Sequence, residues 1–207
     1  MHRYTYEEAL RQEGYMRVAG CDEVGRGPLA GPLVAAAVVL PAHGIEGLDD
    51  SKKLTRIARE RLAERIHAEA DVALVRIPPE DVDRLNVYKA SIKAMTEAVH
   101  RLGGVEFVLS DAVPIEEMPH TALIKGDQKS ASIAAASIVA KVSRDAEMRR
   151  IGERYPEFGF EIHKGYATPA HLEAIETHGV CSAHRRSFAP VKRRIEKQMR
   201  LHLEVSE

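Results

Sequence analysis

The chain of 207 residues has no hydrophobic stretch long enough to cross a membrane. Its longest apolar run, LVAAAVVL from Leu33 to Leu40, is far shorter than the roughly 20 residues that a membrane-spanning helix needs. The polar start MHRYTYEEALRQEG also lacks the apolar segment of a secretory signal peptide. We therefore expect a soluble, cytoplasmic protein without a membrane partner.

Cysteine is scarce, since only Cys21 and Cys181 are present. Two cysteines in a chain of this size without a secretory signal indicate free thiols rather than a disulfide framework. We expect Cys21 to be a small buried strand residue rather than a nucleophile.

Net charge is also nearly absent, because the formal total is -1. The whole molecule is therefore not expected to attract a polyanion, but the charges are unevenly placed. Between residues 185 and 200 there are seven basic residues and one acid, Glu196. This segment fits either a solvated helix surface or a phosphate-binding face.

What is abundant is apolar material, at 44% of the residues, enough for one sizeable core. Strand patterns cover 17–21, 33–40, 72–77 and 105–110, while the stretch 122–125 is too short to assign. Helical patterns cover 54–66, 88–102 with an Asn86 cap, the Ala- and Ser-rich segment 130–148, a helix after Thr168 and one from about Pro190. This order predicts an α/β fold with a mixed sheet in one domain, 1–207, with a core at about 16–155 and a helical appendage at about 156–207.

Four acids lie at predicted element ends: Asp22 and Glu23 after the first strand, Asp111 after VEFVLS, and Asp127 in KGDQK. Acids from neighbouring strand ends can meet at one site. Adjacent strand residues point to opposite faces, so we expect the first strand to end or bulge at Asp22 and Glu23. Converging carboxylates bind hard cations such as Mg2+ or Mn2+, and two such ions can support phosphodiester hydrolysis. A single acid at a strand end is more often a turn or cap residue than a catalytic one.

The next residues, Gly25, Arg26, Gly27 and Pro28, form a loop whose backbone is open to a ligand at the two glycines. Arg26 can hold a phosphate or pair with an acid. The same pattern also describes a tight turn with a solvated arginine.

Five motifs in order, between about residue 17 and about residue 194, resemble bacterial ribonuclease HII. They are CDEVGRGPLAGP, GLDDSKKL, KGDQKSASIAAASIVAKVSRD, HKGY and HRRSF. The resemblance implies a ribonuclease H-like fold, with a central mixed sheet flanked by helices and a C-terminal helical segment. It also implies a metal-dependent repair and RNA-removal endonuclease that cuts RNA in RNA/DNA hybrids. Such an enzyme also nicks 5' of ribonucleotides embedded in duplex DNA, leaving a 3'-hydroxyl and a 5'-phosphate.

By the same resemblance, Asp22, Glu23 and Asp111 are metal-binding carboxylates and Asp127 is the fourth catalytic acid. Asp145 is the alternative to Asp111. The implied cofactor is Mn2+ or Mg2+, and the expected state is a monomer.

The resemblance also implies a set of substrate-binding residues. Gly25, Arg26 and Gly27 would sense the ribose 2'-hydroxyl, the group that distinguishes RNA from DNA. Tyr166 would stack on, or hydrogen-bond, the nucleotide at the RNA-to-DNA junction. Phosphate contacts would come from basic side chains, namely Lys52 with its neighbour Lys53, Arg185 and Arg186.

Three alternatives stay open at this point. The spacing of His178, Cys181 and His184, with His171 or His163, would also fit a zinc site, although it lacks paired Cys-x2-Cys ligands. A non-catalytic nucleic-acid-binding module would keep the fold and the basic tail. A junction-resolving nuclease or a ribonuclease HIII would be a related hydrolase of the same fold with a different substrate, and we expect the HIII type to carry an added N-terminal domain before Arg17.

Overall fold

The computed structural model of the chain describes residues 3–205, and a five-stranded mixed sheet lies at its centre. The strands are β1 (Val18–Val24), β2 (Leu33–Val39), β3 (Asp71–Ile77), β4 (Phe107–Asp111) and β5 (His120–Leu123). Their order across the sheet is β3-β2-β1-β4-β5. β1 pairs antiparallel with β2 and parallel with β4, while β2–β3 is antiparallel and β4–β5 parallel. The predicted mixed sheet is confirmed.

Helices connect and cover the strands. They are α1 (Thr5–Gln12), α2 (Arg56–Glu69), α3 (Pro79–Leu85), α4 (Val87–Leu102), α5 (Gly126–Lys129), α6 (Ala131–Arg154), α7 (Phe160–His163), α8 (Pro169–His178) and α9 (Ala189–Val205), with a 3-10 turn at Pro156–Phe158. No helix within residues 3–205 is long and apolar enough to span a membrane.

The two faces of the sheet are buried by different helices. α4 packs on one face through residues such as Met95, which join Leu33 and Val108 in one apolar cluster. α6 and α2 cover the other face. α6 approaches β1 so closely that a Cβ on Gly20 would lie 2.0 Å from the carbonyl carbon of Ser132. This close approach of the Ala- and Ser-rich helix is possible because Gly20 has no side chain.

Local signals set several element ends as predicted. The Asn86 side chain accepts hydrogen bonds from the N–H groups of Tyr88 and Lys89 at 3.0 and 3.1 Å, which caps α4. Gly103 ends the same helix at φ +65°. The Thr168 hydroxyl caps α8 by accepting from the N–H of His171.

The start of α6 is held by α1, which sequence patterns did not predict. Glu7 of α1 is buried, and its Oε1 accepts hydrogen bonds from Ser130 Oγ (2.6 Å), Ser132 N (2.9 Å) and Ser132 Oγ (2.7 Å). A carboxylate at a helix N-terminus is stabilised by the helix dipole as well as by these bonds. The N-terminal helix therefore fixes the position of α6 on the sheet.

The C-terminal part packs on the far half of α6. Met148 of α6 shares an apolar cluster with Leu29, Phe158, Phe160 and Ile175. Because Leu29 belongs to the loop that follows β1, this cluster connects the loop directly to the C-terminal segment.

Candidate active site

Asp22 and Asp111 lie side by side at one end of the sheet. In the parallel pair β1–β4, Cys21 is opposite Ser110, so the next residue of each strand is an aspartate. The predicted break in β1 is wrong, because regular pairing with β2 continues through Asp22, Glu23 and Val24. Alternation therefore turns Asp22 toward α6, like Gly20, and sends Glu23 to the opposite face.

The acids nevertheless interact electrostatically, because they lie close together at the same end of the sheet. Burial raises the pKa of the Asp22 carboxyl well above its usual value, the charges of Glu23 and Asp111 raise it further, and a hydrogen bond from Ser137 opposes the shift. Burial also raises the pKa of Glu23, against the lowering effect of Arg26. The pKa of Asp111 is raised by burial and by Asp127 in spite of a hydrogen bond from the Gly126 N–H.

Asp127 belongs to the same end of the sheet. It lies in α5, directly after Gly126, whose N–H donates to Asp111 Oδ1 at 2.7 Å. Asp127 is only 3% exposed, and its Oδ2 accepts a hydrogen bond from Lys52 Nζ at 3.1 Å. Burial acts to lower the pKa of Lys52, but the bond to Asp127 raises it overall. Lys52 therefore balances part of the negative charge of the carboxylate cluster.

The donor set suits a hard divalent cation. Oxygen ligands are those that Mg2+ and Mn2+ prefer, and buried carboxylates that repel one another gain from sharing a cation. Glu23 Oε2 is buried without a hydrogen-bond partner, while Glu23 Oε1 receives Arg26 Nη1 at 3.1 Å. Within residues 3–205, no three His, Cys, Asp or Glu side chains are already arranged as a metal-ligand cluster. The free oxygen of Glu23 is therefore the observation that favours a cation here.

The loop from Gly25 to Pro32 is held from below by two buried arginines. Arg185 donates to the carbonyls of Gly25 (2.6 Å), Arg26 (3.0 Å) and Gly31 (2.9 and 3.1 Å). Arg144 of α6 donates to the carbonyls of Ala30 and Pro32. Burial, together with the charge of Arg144, lowers the pKa of Arg185 to about 9, so the guanidinium is still charged at neutral pH.

The expectation that Arg185 contacts phosphate is wrong for this structure. Its side chain is 0% exposed, and its N–H groups are directed at the loop carbonyls. A count of basic residues cannot separate a buried guanidinium from an exposed one. Arg186 is exposed instead, while its backbone N–H donates to Asp83.

Tyr166 lies beside the same loop. Gly165, at φ +84°, packs so tightly that a Cβ would lie 2.5 Å from the Ala30 carbonyl oxygen, and its own carbonyl accepts from the Leu29 N–H. Tyr166 Cε1 is the nearest atom to a Cβ built on Gly27, at 3.7 Å, and Tyr166 is 46% exposed. The structure thus brings Gly25, Arg26, Gly27 and Tyr166 together, next to Glu23.

The alternative acid Asp145 lies farther along α6, where it pairs with Lys141 at 2.8 Å. It is on the helix, as predicted, but does not stand at the strand ends.

The residues of the zinc alternative form a hydrogen-bonded group. His178 is exposed, whereas His171 and His184 are buried and their Nε2 atoms lie 3.1 Å apart. His171 Nδ1 bonds the Tyr166 carbonyl at 2.8 Å, and His184 Nδ1 accepts from the Cys181 N–H at 3.0 Å. Since both nitrogens of each buried ring are used in hydrogen bonds, this arrangement does not favour a zinc site. Sequence spacing did not reveal these hydrogen bonds, although His184 is the first residue of the HRRSF motif.

Comparison with known proteins agrees with this geometry. A family model described as Ribonuclease HII matches residues 19–191. The chain is 52% identical over 196 residues to Ribonuclease HII of Bacillus cereus (strain ZK / E33L), covering 93% of this chain and 76% of that protein. The crystal structure of ribonuclease H2 from Pyrococcus horikoshii OT3 superposes with a TM-score of 0.76 at 28% identity, over 88% of this chain and 98% of that one. Bst-RNase HIII in complex with Mn2+ shares the fold, with a TM-score of 0.71 at 21% identity, over 93% of this chain and 73% of that one.

The mixed sheet with acids at adjacent strand ends places the molecule among the ribonuclease H-like α/β proteins. Within that class, the chain belongs to the ribonuclease HII family and is a nuclease.

Proposed function

We propose that this protein is a divalent-metal-dependent endonuclease that hydrolyses the RNA strand of RNA/DNA hybrids. On duplex DNA it nicks on the 5' side of an embedded ribonucleotide and leaves a 3'-hydroxyl and a 5'-phosphate. We also propose that the enzyme is a monomer, that it works in the cytoplasm and that it acts in the removal of ribonucleotides. The observation that carries it is the buried carboxylate cluster with an unpartnered Glu23 oxygen in a ribonuclease HII chain.

Asp22, Glu23 and Asp111 are the residues that would hold the metal, and Asp127 is the fourth catalytic acid. When bound, a pair of Mg2+ or Mn2+ ions supplies an activated water and stabilisation of the leaving oxygen. The chain's own part is to keep these carboxylates close together at one end of the sheet and to leave Glu23 Oε2 without a hydrogen-bond donor. Lys52 holds Asp127 from the solvent side, where its own side chain is 78% exposed and can reach a phosphate.

Recognition of the ribose is assigned to the loop beside the acids. The carbonyls of Gly25 and Arg26 are taken by Arg185, so the loop offers N–H groups and side chains to a ligand. An N–H group can donate to the 2'-oxygen, which deoxyribose lacks. Arg26 connects recognition to chemistry, because it pairs with Glu23 while its side chain is 44% exposed.

Tyr166 and the exposed basic residues complete the proposed substrate surface. The half-exposed Tyr166 ring offers a stacking face for the nucleotide at the junction. Arg186 and the exposed basic side chains of α9 supply sequence-independent attraction to the phosphate backbone, which a molecule of net charge -1 does not provide as a whole.

The test is cleavage of an end-labelled DNA duplex with one internal ribonucleotide, run with Mg2+, Mn2+ or EDTA beside the all-DNA duplex. We expect a metal-dependent nick 5' of the ribonucleotide, no cut in all-DNA, and no cleavage by Asp22→Asn although it still binds the duplex. Tight binding without cleavage by the wild type would favour the non-catalytic module. Equal cleavage of both duplexes would refute the ribose readout but keep the metal site.

A further inference from the structure

The buried His171 and His184, together with the partly buried His163, form a group between Tyr166 and the C-terminal segment. The rings of His163 and His171 stack with centroids 4.5 Å apart, and Phe160 packs edge-on against His171 at 5.4 Å. None of the three is a conventional apolar core residue. A buried imidazole is costly unless both nitrogens are satisfied, so the hydrogen bonds of this group define its role.

The hydrogen bonds fix one tautomer for each of two rings. The Tyr166 carbonyl is an acceptor, so His171 Nδ1, at 2.8 Å from it, carries the proton. In a neutral ring His171 Nε2 is then an acceptor, and His184 Nε2, at 3.1 Å, must donate to it. His184 Nδ1 in turn accepts from the Cys181 N–H at 3.0 Å. Burial lowers the pKa of His171 and brings the pKa of His184 to about 4, which keeps both rings neutral near pH 7.

The chain of bonds ends at the loop that carries the ribose-sensing residues. His184 forms an isolated β-bridge with Ala30, and Arg185, the next residue, binds the carbonyls of Gly25 and Arg26. Two hydrogen bonds therefore lead from the Tyr166 main chain through His171 to His184, and the adjacent residue Arg185 continues the path to the loop carbonyls at Gly25 and Arg26.

We propose that His171 and His184 are positioning residues that hold the Tyr166 main chain in register with the Gly25–Gly27 loop. This inference rests on the proposed function, because it assumes that Tyr166 and the loop bind the same substrate. Apolar side chains would fill the same space, but they would not fix the Tyr166 carbonyl. Displacement of a binding group by about 1 Å can reduce a rate by as much as a hundredfold.

The first test needs no catalysis. Long-range 1H–15N NMR of the wild-type protein near pH 7 should show His171 as the Nδ1–H tautomer and His184 as the Nε2–H tautomer, both neutral. The reverse tautomers, or a charged ring, would overturn the proposal even if the enzyme cleaves as expected.

The second test separates the two bonds of His171. His171→Asn retains a donor near the Nδ1 position, whereas His171→Leu removes both polar atoms. We expect kcat/KM on the single-ribonucleotide duplex to fall at least about tenfold in His171→Leu and less in His171→Asn. The exposed His178 provides the matched control, and His178→Leu should behave as the wild type.

A purely structural role would lower melting temperature and active fraction but affect all substrates alike. We therefore compare the single-ribonucleotide duplex with a uniform RNA/DNA hybrid, and expect a larger loss on the duplex that contains the RNA-to-DNA junction. Equal losses on both substrates, or no rescue by His171→Asn, would overturn the positioning role. If the wild type cleaves neither substrate, the proposed function fails, and the tautomers still decide the hydrogen-bonded path.

Discussion

Gly25 and Gly27 lie two residues apart, yet the structure predicts opposite effects for the same substitution. A Cβ on Gly25 would lie 2.3 Å from Arg144 Nε and 2.8 Å from the Pro32 carbonyl oxygen, at φ +90°. Arg144 cannot swing aside freely, because it is buried and bonded to loop carbonyls. A Cβ on Gly27 would meet only Tyr166, at 3.7 Å, and its φ is not in the left-handed region.

For Gly25→Ala, unfavourable backbone geometry costs about 1–3 kcal/mol and forced overpacking about 1–3 kcal/mol more. The free energy of unfolding should therefore fall by about 2–6 kcal/mol. At about 2–4 °C per kcal/mol for a chain of this size, the melting temperature should drop by at least about 4 °C. Gly27→Ala should change stability by less than about 0.5 kcal/mol.

Among correctly folded molecules, cleavage activity should fall more in Gly27→Ala than in Gly25→Ala. The new methyl of Gly27→Ala lies between the loop and the Tyr166 ring, where we place the ribose. Folded Gly27→Ala should therefore lose about tenfold or more in kcat/KM on the single-ribonucleotide duplex. Chemical denaturation and cleavage assays on both variants provide the measurement. A stable Gly25→Ala would refute the packing argument, and a fully active Gly27→Ala would refute the placement of the substrate.

Three further outcomes follow from other contacts. Burial raises the pKa of Asp22 in the folded protein, so the wild type loses stability as pH rises from the unfolded-state pKa through the folded-state pKa. Metal-free Asp22→Asn should therefore be more stable than the wild type at pH 7 in denaturation curves, and the difference should shrink toward acid pH. Glu7→Ala should lower the free energy of unfolding by about 2–3 kcal/mol, because three hydrogen bonds at the start of α6 are lost. Glu13→Ala, at an exposed position of the same region, should not lower it. Equal free energies of unfolding for the two variants would contradict the capping role. Arg185→Met should lower the free energy of unfolding by about 3 kcal/mol or more, because it leaves buried loop carbonyls unpaired. Arg186→Ala, at an exposed position, should keep the stability of the wild type. In binding titrations at several salt concentrations, it should reduce the salt dependence of duplex binding by about one ion.

Local sequence patterns located the strands β1 to β4 and the helices with clear caps. Asn86 and Gly103 bracket α4 as predicted, because these signals act within a few residues. β5 was missed because it is a four-residue edge strand with exposed positions, so it lacks the apolar pattern of a buried strand. β1 runs to Val24 rather than ending near Cys21, since tertiary pairing with β2 overrides the polar residues.

The site was predicted where chemistry depends on residue type and strand position. Asp22 and Asp111 were expected to meet from their strand ends, and the parallel register places them side by side. Long-range contacts were beyond sequence reasoning. The buried state of Arg185 depends on carbonyls about 160 residues away, as its contact with Gly25 illustrates. The metal-binding role of the acids stays a prediction.

The two guanidinium groups beneath the loop also have an electrostatic consequence. Arg144 and Arg185 are both fully buried, and they donate hydrogen bonds to neutral carbonyls of the main chain. Their positive charge is therefore felt at the surface above them. Buried charges are screened by salt much less than exposed ones. If the loop binds substrate as proposed, its attraction for a nucleic-acid backbone should persist at ionic strengths that suppress the attraction of α9.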